Sequence, residues 1–202
     1  MKNIIFDWSG TLIDNQHAMY RAVRRIFYDY KKDLSYKTFK EDFKQPFKIF
    51  YSKHLPGISQ VKIKKKFIKY YLEEKTPGLI TGIRKELIKL SKNNCKLFIF
   101  SSHPKKILEK EISKNGLVNI VEKYIGEVYD KKNSLKKFIK KNKLSLKNTY
   151  YVGDMVSDIV AAKIARVKSV AVLWGYQKKK TLKLENPSFI LHSTKEISKF
   201  MK

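Results

Sequence analysis

The chain has 202 residues, and its hydrophobic fraction of 43% and aromatic fraction of 13% allow one sizeable core with a small second lobe. The only cysteine, Cys95, excludes an internal disulfide and a cysteine metal cluster and favours a cytoplasmic location. No apolar run approaches the roughly 20 residues that span a bilayer, so no membrane association is expected. Met1 leads directly into a strand-like run, which predicts that there is no signal peptide.

The formal net charge is +27, from 45 Lys+Arg against 18 Asp+Glu, and lysine supplies nearly all of it. Such a charge attracts phosphates, anionic substrates and nucleic acid. Nucleic acid is an alternative partner but is not favoured, because arginine is scarce and no known nucleic-acid-binding motif is present. Solvated lysine faces are the favoured explanation of the charge. A small phosphorylated substrate is the favoured partner, for a monomer or a dimer.

The first strand is predicted at Lys2–Phe6, followed by a loop at Asp7–Thr11. Asp14 or Asn15 is expected to cap the next helix. From Gln16 to Lys75 the apolar spacing is mostly helical and no strand is evident. Three apolar series carry this helical pattern: Met19, Val23, Ile26 and Phe27; Phe39, Phe43 and Phe47; Ile63, Phe67, Ile68 and Tyr71.

After Pro77-Gly78, short apolar runs alternate with amphipathic helices. Strands are predicted at 96–100, within 118–128, and at 150–152, 169–173 and 188–191; helices are predicted at 83–90, 105–115, 134–143, 157–165 and 195–201. This alternation predicts an α/β fold, a Rossmann-like parallel sheet with helices on both faces, plus a small all-helical cap inserted after the first strand. The core domain is predicted at 1–14 and 79–202, and the cap domain at 15–78.

Polar residues follow three of the predicted strands, and parallel sheets bind ligands beyond the carboxyl ends of their strands. Asp7, Ser101 and Asp154 can therefore converge in one crevice. Asp7 can attack phosphorus, and Thr11 adds a hydroxyl and backbone N–H groups suited to an oxyanion. The alternative for Asp7 is a simple turn aspartate.

Asp154 and Asp158 lie four residues apart around a strand-to-helix turn, so both can face one metal ion. Mg²⁺ prefers oxygen ligands, including one or two carboxylates. With Asp7 they predict an acidic Mg²⁺ site in a basic protein. The alternative for Asp158 is that it merely caps the helix that begins there.

Several other polar residues are candidates for phosphoryl binding. The hydroxyl of Ser101 can donate to a phosphoryl oxygen, and Ser102 follows it. Lys131 or Lys132 can offset the negative charge of Asp7 and a phosphoryl group. His103 is either a substrate contact or a solvated loop histidine.

Four segments taken in order resemble the four motifs of the haloacid dehalogenase-like superfamily, and the resemblance covers almost the whole chain. The segments are Phe6-Asp7-Trp8-Ser9-Gly10-Thr11-Leu12, Phe98-Ile99-Phe100-Ser101-Ser102, Asp130-Lys131 and Tyr151-Val152-Gly153-Asp154-Met155-Val156-Ser157-Asp158. The layout is most similar to the phosphoglycolate phosphatase-like branch, whose helical cap lies between the first and second motifs. Ala171-Val172-Leu173-Trp174-Gly175-Tyr176 also looks like the strand that follows the last motif in that branch.

The resemblance implies a Mg²⁺-dependent phosphoric monoester hydrolase. Asp7 would be the nucleophile and a metal ligand, with the backbone carbonyl of Ser9 and the carboxylate of Asp154 as further ligands. Asp158 would support the metal through water or a neighbouring contact. Ser101 and Lys131 would bind the phosphoryl group, and Lys131 is preferred to Lys132 because it follows Asp130.

Ser9 departs from the family pattern, which has an acid/base aspartate two residues after the nucleophile. A serine hydroxyl does not deliver a proton at neutral pH as a carboxylic acid does, and loss of such help costs about 10²–10⁴ in rate. Three alternative outcomes follow. The enzyme hydrolyses slowly or only substrates with good leaving groups, such as acyl phosphates; or Asp14, His103 or a substrate group replaces the aspartate; or the protein binds phosphate without turnover. The alternative function is thus a weak or inactive protein of this fold that binds phosphate or nucleic acid. A dehalogenase is disfavoured because attack on carbon does not need the Mg²⁺ site that Asp154 and Asp158 imply.

Overall fold

A fully parallel, six-stranded sheet forms the centre of the larger unit in the computed structural model, which describes residues 1–199. The strands are β1 (Lys2–Phe6), β2 (Cys95–Phe100), β3 (Lys123–Ile125), β4 (Thr149–Gly153), β5 (Lys168–Val172) and β6 (Phe189–Leu191). Their order across the sheet is β3-β2-β1-β4-β5-β6. The prediction of a parallel α/β fold is confirmed.

The register of the central strands brings their carboxyl ends to one edge of the sheet. Phe6 is the partner of Ile99 on β2 and of Val152 on β4. The backbone N–H of Asp7 donates to the carbonyl of Val152 at 2.8 Å. The residues that follow β1, β2 and β4 therefore leave the sheet close together, as expected for a parallel sheet that binds ligands at this edge.

The described part of the chain contains nine α-helices. They are α1 (Gln16–Asp29), α2 (Tyr36–Asp42), α3 (Phe47–His54), α4 (Gln60–Glu73), α5 (Ile83–Lys92), α6 (Lys105–Lys114), α7 (Lys131–Lys141), α8 (Val156–Ile164) and α9 (Lys179–Lys183). Within residues 1–199, no helix combines the length and the apolar character needed to cross a membrane.

Helices cover both faces of the sheet because successive strand residues point to opposite sides. Ile4 and Phe6 of β1 belong to the hydrophobic cluster that includes Leu87 of α5 and Leu108 of α6. Ile5 belongs to the opposite cluster, with residues of α7 and α8. Burial of these apolar faces stabilises the unit by roughly 25 cal/mol for each Å² removed from water.

The structure differs from the predicted elements near α7 and at the end of the chain. Helix α7 begins at Lys131, three residues before the predicted start, because Asp130 caps it by accepting the N–H of Asn133 at 3.2 Å. Helix α9 was not predicted. A short 3₁₀ turn, Thr194–Glu196, overlaps the start of the predicted helix 195–201, and residues 200 and 201 of that prediction lie outside the described residues.

Contacts divide the chain into two units, one formed by Met1–Asp14 with the chain from Gly78 onward, and the other by Asn15–Pro77. The second unit contains α1 to α4. The predicted apolar series of α1 is buried, since Met19, Val23, Ile26 and Phe27 all lie in its interior.

The aromatic series of the second unit does not form one helix. Phe39 lies on α2 and Phe47 lies on α3, although both rings stack against Phe43 with centroids 4.7 and 4.6 Å away. Pro46 explains the break, because proline lacks an N–H and disfavours helical backbone in the residue before it.

Candidate active site

A buried lysine joins two buried carboxylates at the carboxyl edge of the sheet. The Nζ atom of Lys131 lies 2.8 Å from Oδ1 of Asp7 and 2.7 Å from Oδ1 of Asp158. All three residues are at most 3% exposed. Ion pairs in such surroundings are weakly screened, so the lysine fixes the positions of both carboxylates.

Asp154, which directly follows β4, lies beside this pair and binds neutral donors. Its Oδ1 accepts the hydroxyl of Thr11 at 3.0 Å, and its Oδ2 accepts the backbone N–H of Tyr176 at 2.7 Å. Two glycines leave room for it. A Cβ at Gly10, where φ is +73°, would lie 2.5 Å from Oδ2 of Asp154, and a Cβ at Gly175 would lie 2.2 Å from Cβ of Asp154.

The local sequence places Lys131 and Asp158 at the starts of helices. Lys131 is the first residue of α7, directly after the Asp130 cap. Asp158 lies in the first turn of α8, where its Oδ2 accepts the N–H of Met155 at 3.0 Å. Asp158 therefore caps its helix and binds Lys131 at the same time.

Burial and mutual repulsion raise the pKa values of the carboxyl groups. Burial raises the pKa of Asp7 to about 6, although Lys131 opposes the shift. Burial, followed by the charges of Asp7 and Asp158, raises the pKa of Asp154 to about 8. Burial alone would lower the pKa of Lys131, but Asp158 and Asp7 raise it well above its ordinary value, so the lysine is charged. The site thus has more negative charge than its one lysine offsets.

The three carboxylates fit a metal ion. Ligand atoms of Asp7, Asp154 and Asp158 all lie within 4.8 Å of one another. Burial and the neighbouring carboxylates raise the pKa values of Asp7 and Asp154, a bound cation would favour their ionised forms, and carboxylate oxygens suit hard divalent ions. The residues present can therefore bind a divalent metal ion.

The remaining predicted residues lie in the loops after β1 and β2 and at the start of α7. Ser101 is buried, and its Oγ accepts the backbone N–H of His103 at 3.1 Å. Ser9 and Ser102 are half-buried in their loops, and Lys132 is exposed, unlike the buried Lys131. The structure thus brings together Asp7, Asp154, Asp158, Lys131 and Thr11, whereas the hydrogen bond of the Ser101 hydroxyl lies within its own loop.

Two alternatives were predicted for His103, a substrate contact and a solvated loop histidine, and the second is wrong. His103 is only 4% exposed, so it is not a solvated loop histidine. Burial lowers its pKa to about 3, which makes the imidazole neutral at pH 7. A neutral, buried imidazole is a poor source of protons. Asp14, the other candidate replacement acid, is exposed.

Four residues that support the site were missed by sequence reasoning. The hydroxyl of Tyr151 donates to Oδ1 of Asp158 at 3.2 Å. Trp174 donates its indole N–H to the carbonyl of Thr11 at 3.1 Å, and Oε1 of Gln177 accepts the N–H of Val156 at 2.7 Å. With the backbone of Tyr176, the segment after β5 thus binds three parts of the site. The only local signal was its Trp-Gly-Tyr sequence directly after an apolar strand.

Comparison with known proteins identifies the family of the chain. Residues 4–172 match the family model described as haloacid dehalogenase-like hydrolase. The protein named "Putative pyrophosphatase PpaX" from Caldanaerobacter subterraneus subsp. tengcongensis is 26% identical over 218 residues, which cover 98% of this chain and 94% of the relative.

Solved structures share the fold at low sequence identity. A haloacid dehalogenase-like family hydrolase from Streptococcus pneumoniae has a TM-score of 0.87 at 18% identity and covers 100% of this chain and 99% of its own. A structure titled a predicted phosphoglycolate phosphatase from Haemophilus somnus has a TM-score of 0.85 at 18% identity, with 100% and 98% covered. The family model spans most of the chain, and the predictions of family and hydrolase class are confirmed. The chain belongs to the haloacid dehalogenase-like hydrolases.

Proposed function

We propose that this protein is a Mg²⁺-dependent phosphatase that transfers a phosphoryl group from a small phosphorylated metabolite to Asp7 and then to water. The observation that carries the proposal is the buried group formed by Asp7, Lys131, Asp154 and Asp158 at the carboxyl edge of the sheet. The similar proteins named "Putative pyrophosphatase PpaX" and "predicted phosphoglycolate phosphatase" support the same class of reaction.

The chemistry follows from the ionised form of Asp7. With a pKa of about 6, this carboxyl is mostly ionised at pH 7, and Lys131 binds one of its oxygens. Its carboxylate would attack phosphorus, so that an O–P bond forms and the bond from phosphorus to the leaving oxygen breaks. Water would then attack the aspartyl-phosphate, releasing inorganic phosphate and restoring the carboxylate.

Mg²⁺ is the ion that best fits the proposed reaction. Asp7 and Asp154 would bind it, with the backbone carbonyl of Ser9, and Asp158 would support it through water or a neighbouring contact. When bound, the ion would neutralise charge on the phosphoryl oxygens. Lys131 and Ser101 would bind these oxygens too, with Thr11 and Ser102 in the adjoining loops.

Asp7→Asn tests the proposal directly. Purified wild-type protein with Mg²⁺ should release phosphate from p-nitrophenyl phosphate or acetyl phosphate, and the variant should lose about 10³-fold or more of this activity because the nucleophile is gone. Asp33→Asn, which changes an exposed carboxylate on the other unit, is the matched control. Phosphate release that survives Asp7→Asn would refute the mechanism.

Ser9 determines which leaving groups are suitable. Acetyl phosphate expels a stable anion, whereas glycerol phosphate expels an alkoxide that needs a proton. Ser9→Asp should therefore raise kcat/KM for glycerol phosphate by about 10²–10⁴ and change acetyl phosphate hydrolysis much less. Ser9→Ala controls for loss of the hydroxyl. Equal gains on both substrates would contradict a role in protonating the leaving group.

A second candidate function, nucleic-acid binding, is favoured by the surface of α7 and the segment after it. No carboxylate interrupts residues 131–148. Seven lysines there are exposed: Lys132, Lys136, Lys137, Lys140, Lys141, Lys143 and Lys147. Such a surface, with positive charge only, can bind a phosphate backbone, and it has no arginine that could contact base edges.

Fluorescence anisotropy with a labelled single-stranded oligonucleotide tests this candidate. Binding should weaken steeply with salt, and changing Lys136, Lys137 and Lys140 to glutamine should weaken it further. The matched control changes three exposed lysines of α4, namely Lys62, Lys65 and Lys69. No binding at low salt, or equal loss in both triple variants, would remove the candidate.

A further inference from the structure

A buried glutamate on α6 lies between the two loops that carry Asp7 and Ser101. Oε2 of Glu111 accepts the indole N–H of Trp8 at 2.6 Å, and the same oxygen lies 3.4 Å from Nε2 of His103. Glu111 is 1% exposed and Trp8 is fully buried. One carboxylate oxygen therefore contacts both loops inside the protein.

Trp8 organises the loop that begins with the proposed nucleophile. It directly follows Asp7, and its backbone carbonyl accepts the N–H groups of Thr11, Leu12 and Ile13 at 3.3, 2.9 and 3.1 Å. Its side chain and its backbone together fix this turn. A shift of the indole would consequently move the backbone next to Asp7.

His103 has the corresponding place in the loop after β2. Its backbone N–H donates to Oγ of Ser101, and its carbonyl accepts the N–H of Glu127 at 2.8 Å. Gly126 packs so closely that a Cβ there would lie 2.8 Å from the carbonyl oxygen of His103. Burial lowers the pKa of His103 to about 3 and so keeps the imidazole neutral, and its Nε2 contacts Oε2 of Glu111 at 3.4 Å.

Packing alone does not explain a carboxylate at this position. Its neighbours Leu108 and Ile112 on α6 belong to the same hydrophobic cluster as Trp8, so an apolar side chain would be simpler to bury. We infer that Glu111 is a positioning residue, which connects the Asp7 loop to the Ser101 loop so that nucleophile and phosphate-binding hydroxyl keep one relative geometry. This role rests on the proposed phosphatase function.

The test compares Glu111→Leu with Glu111→Gln, whose amide keeps an acceptor for Trp8 and a polar group for His103. Because small misplacements of reacting groups cost about 10² in rate, Glu111→Leu should lower kcat for p-nitrophenyl phosphate about 100-fold with KM changed less than threefold. Glu111→Gln should recover most of the loss. Glu109→Gln, an exposed change on the same helix, is the control. A kcat of Glu111→Leu within twofold of the wild-type value, or a kcat of Glu111→Gln as low as that of Glu111→Leu, would overturn the inference.

A mutant cycle separates positioning from general destabilisation. Trp8→Phe and His103→Asn should reduce kcat by less together than the product of their separate effects, and this coupling should vanish in the Glu111→Leu background. Multiplicative effects in both backgrounds would overturn the inference.

The same cycle has a readout that does not depend on activity. If the wild type releases no phosphate, the proposed function fails, and the coupling is measured on the urea midpoint of unfolding. Coupling of Trp8 and His103 that requires Glu111 still supports the connection between the loops. Its absence would refute that connection.

Discussion

Lysines pair with carboxylates in both units of this protein, but in opposite environments. Lys131 contacts Asp7 and Asp158 in the interior of the sheet unit. In the helical unit, Lys66 contacts Asp29 at 2.5 Å with side chains 35% and 28% exposed. The contacts have similar lengths, so distance alone does not distinguish them.

The two ion pairs differ in how far water and salt screen their charges. At the surface, solvent and salt screen the pair and replace a lost partner, so an exposed ion pair contributes little. In the interior, removal of one partner leaves an uncompensated charge, although replacing a whole buried pair by apolar groups is often neutral. A chain that retains three buried carboxylates around one lysine therefore does so for a purpose other than stability, and phosphoryl transfer is the purpose that we propose.

The largest effect should come from Lys131→Met. Removing the lysine leaves Asp7 and Asp158 buried without their counter-charge, so the free energy of unfolding should fall by about 3–5 kcal/mol in urea titrations. The neighbouring Lys132→Met, at an exposed position, should change it by no more than about 0.5 kcal/mol. Equal effects of the two substitutions would erase the distinction between interior and surface lysines.

The pH dependence of metal-free protein should come next in size. Asp154 has its pKa raised from 3.8 to about 8, so the folded state binds more protons than the unfolded state across that interval, and stability falls as pH rises. His103, lowered from 6.5 to about 3, acts in the opposite direction below pH 6.5. Between about pH 6.5 and 8 the decline should approach 1.4 kcal/mol per pH unit.

Mg²⁺ and Asp154→Asn should each flatten this decline, because the ion supplies the missing positive charge and the amide does not titrate. Saturating Mg²⁺ at about 100 times its dissociation constant should stabilise the folded state by about 2.7 kcal/mol, and a chelator should reverse the gain. Thermal unfolding at several pH values measures both effects. A profile that Mg²⁺ leaves unchanged would argue against a metal ion at the three carboxylates.

The smallest effect should come from Lys66→Met in the helical unit. Loss of the exposed contact with Asp29 should lower the unfolding free energy by at most about 1 kcal/mol, and the difference should shrink in high salt. Urea titrations with and without added salt measure this. A loss as large as that of Lys131→Met would show that exposure does not govern these pairs.

Local patterns identified much of the fold and part of the site. The apolar run of β1 ending at Asp7 and the four-residue spacing of Asp154 and Asp158 are short-range signals, and both lead to residues that meet in the structure. The preference for Lys131 over Lys132 depended on the preceding Asp130. In the structure, Asp130 caps α7, and the first residue of that helix, Lys131, is buried.

The remaining site residues could not be predicted, because their signals are not local. Glu111 reads as one more charge on an amphipathic helix, and only tertiary packing shows that it binds Trp8 from 103 positions away. Tyr151 likewise reads as an ordinary strand residue until its hydroxyl is seen to contact Asp158. The assignments of Ser9, Ser101 and Ser102 as functional groups stay predictions.

The order of the strands has a consequence for how this protein is made. Strand β1 is synthesised first, yet it pairs with β4, and Thr11 binds Asp154 across 143 positions. Contacts of such long range form late in folding, because loop closure must precede them. A chain emerging from the ribosome would carry its proposed nucleophile from the seventh residue, but without Lys131, Asp154 and Asp158 that carboxylate has neither counter-charge nor metal site. The proposed catalytic group therefore cannot assemble until the chain has been translated through Asp158.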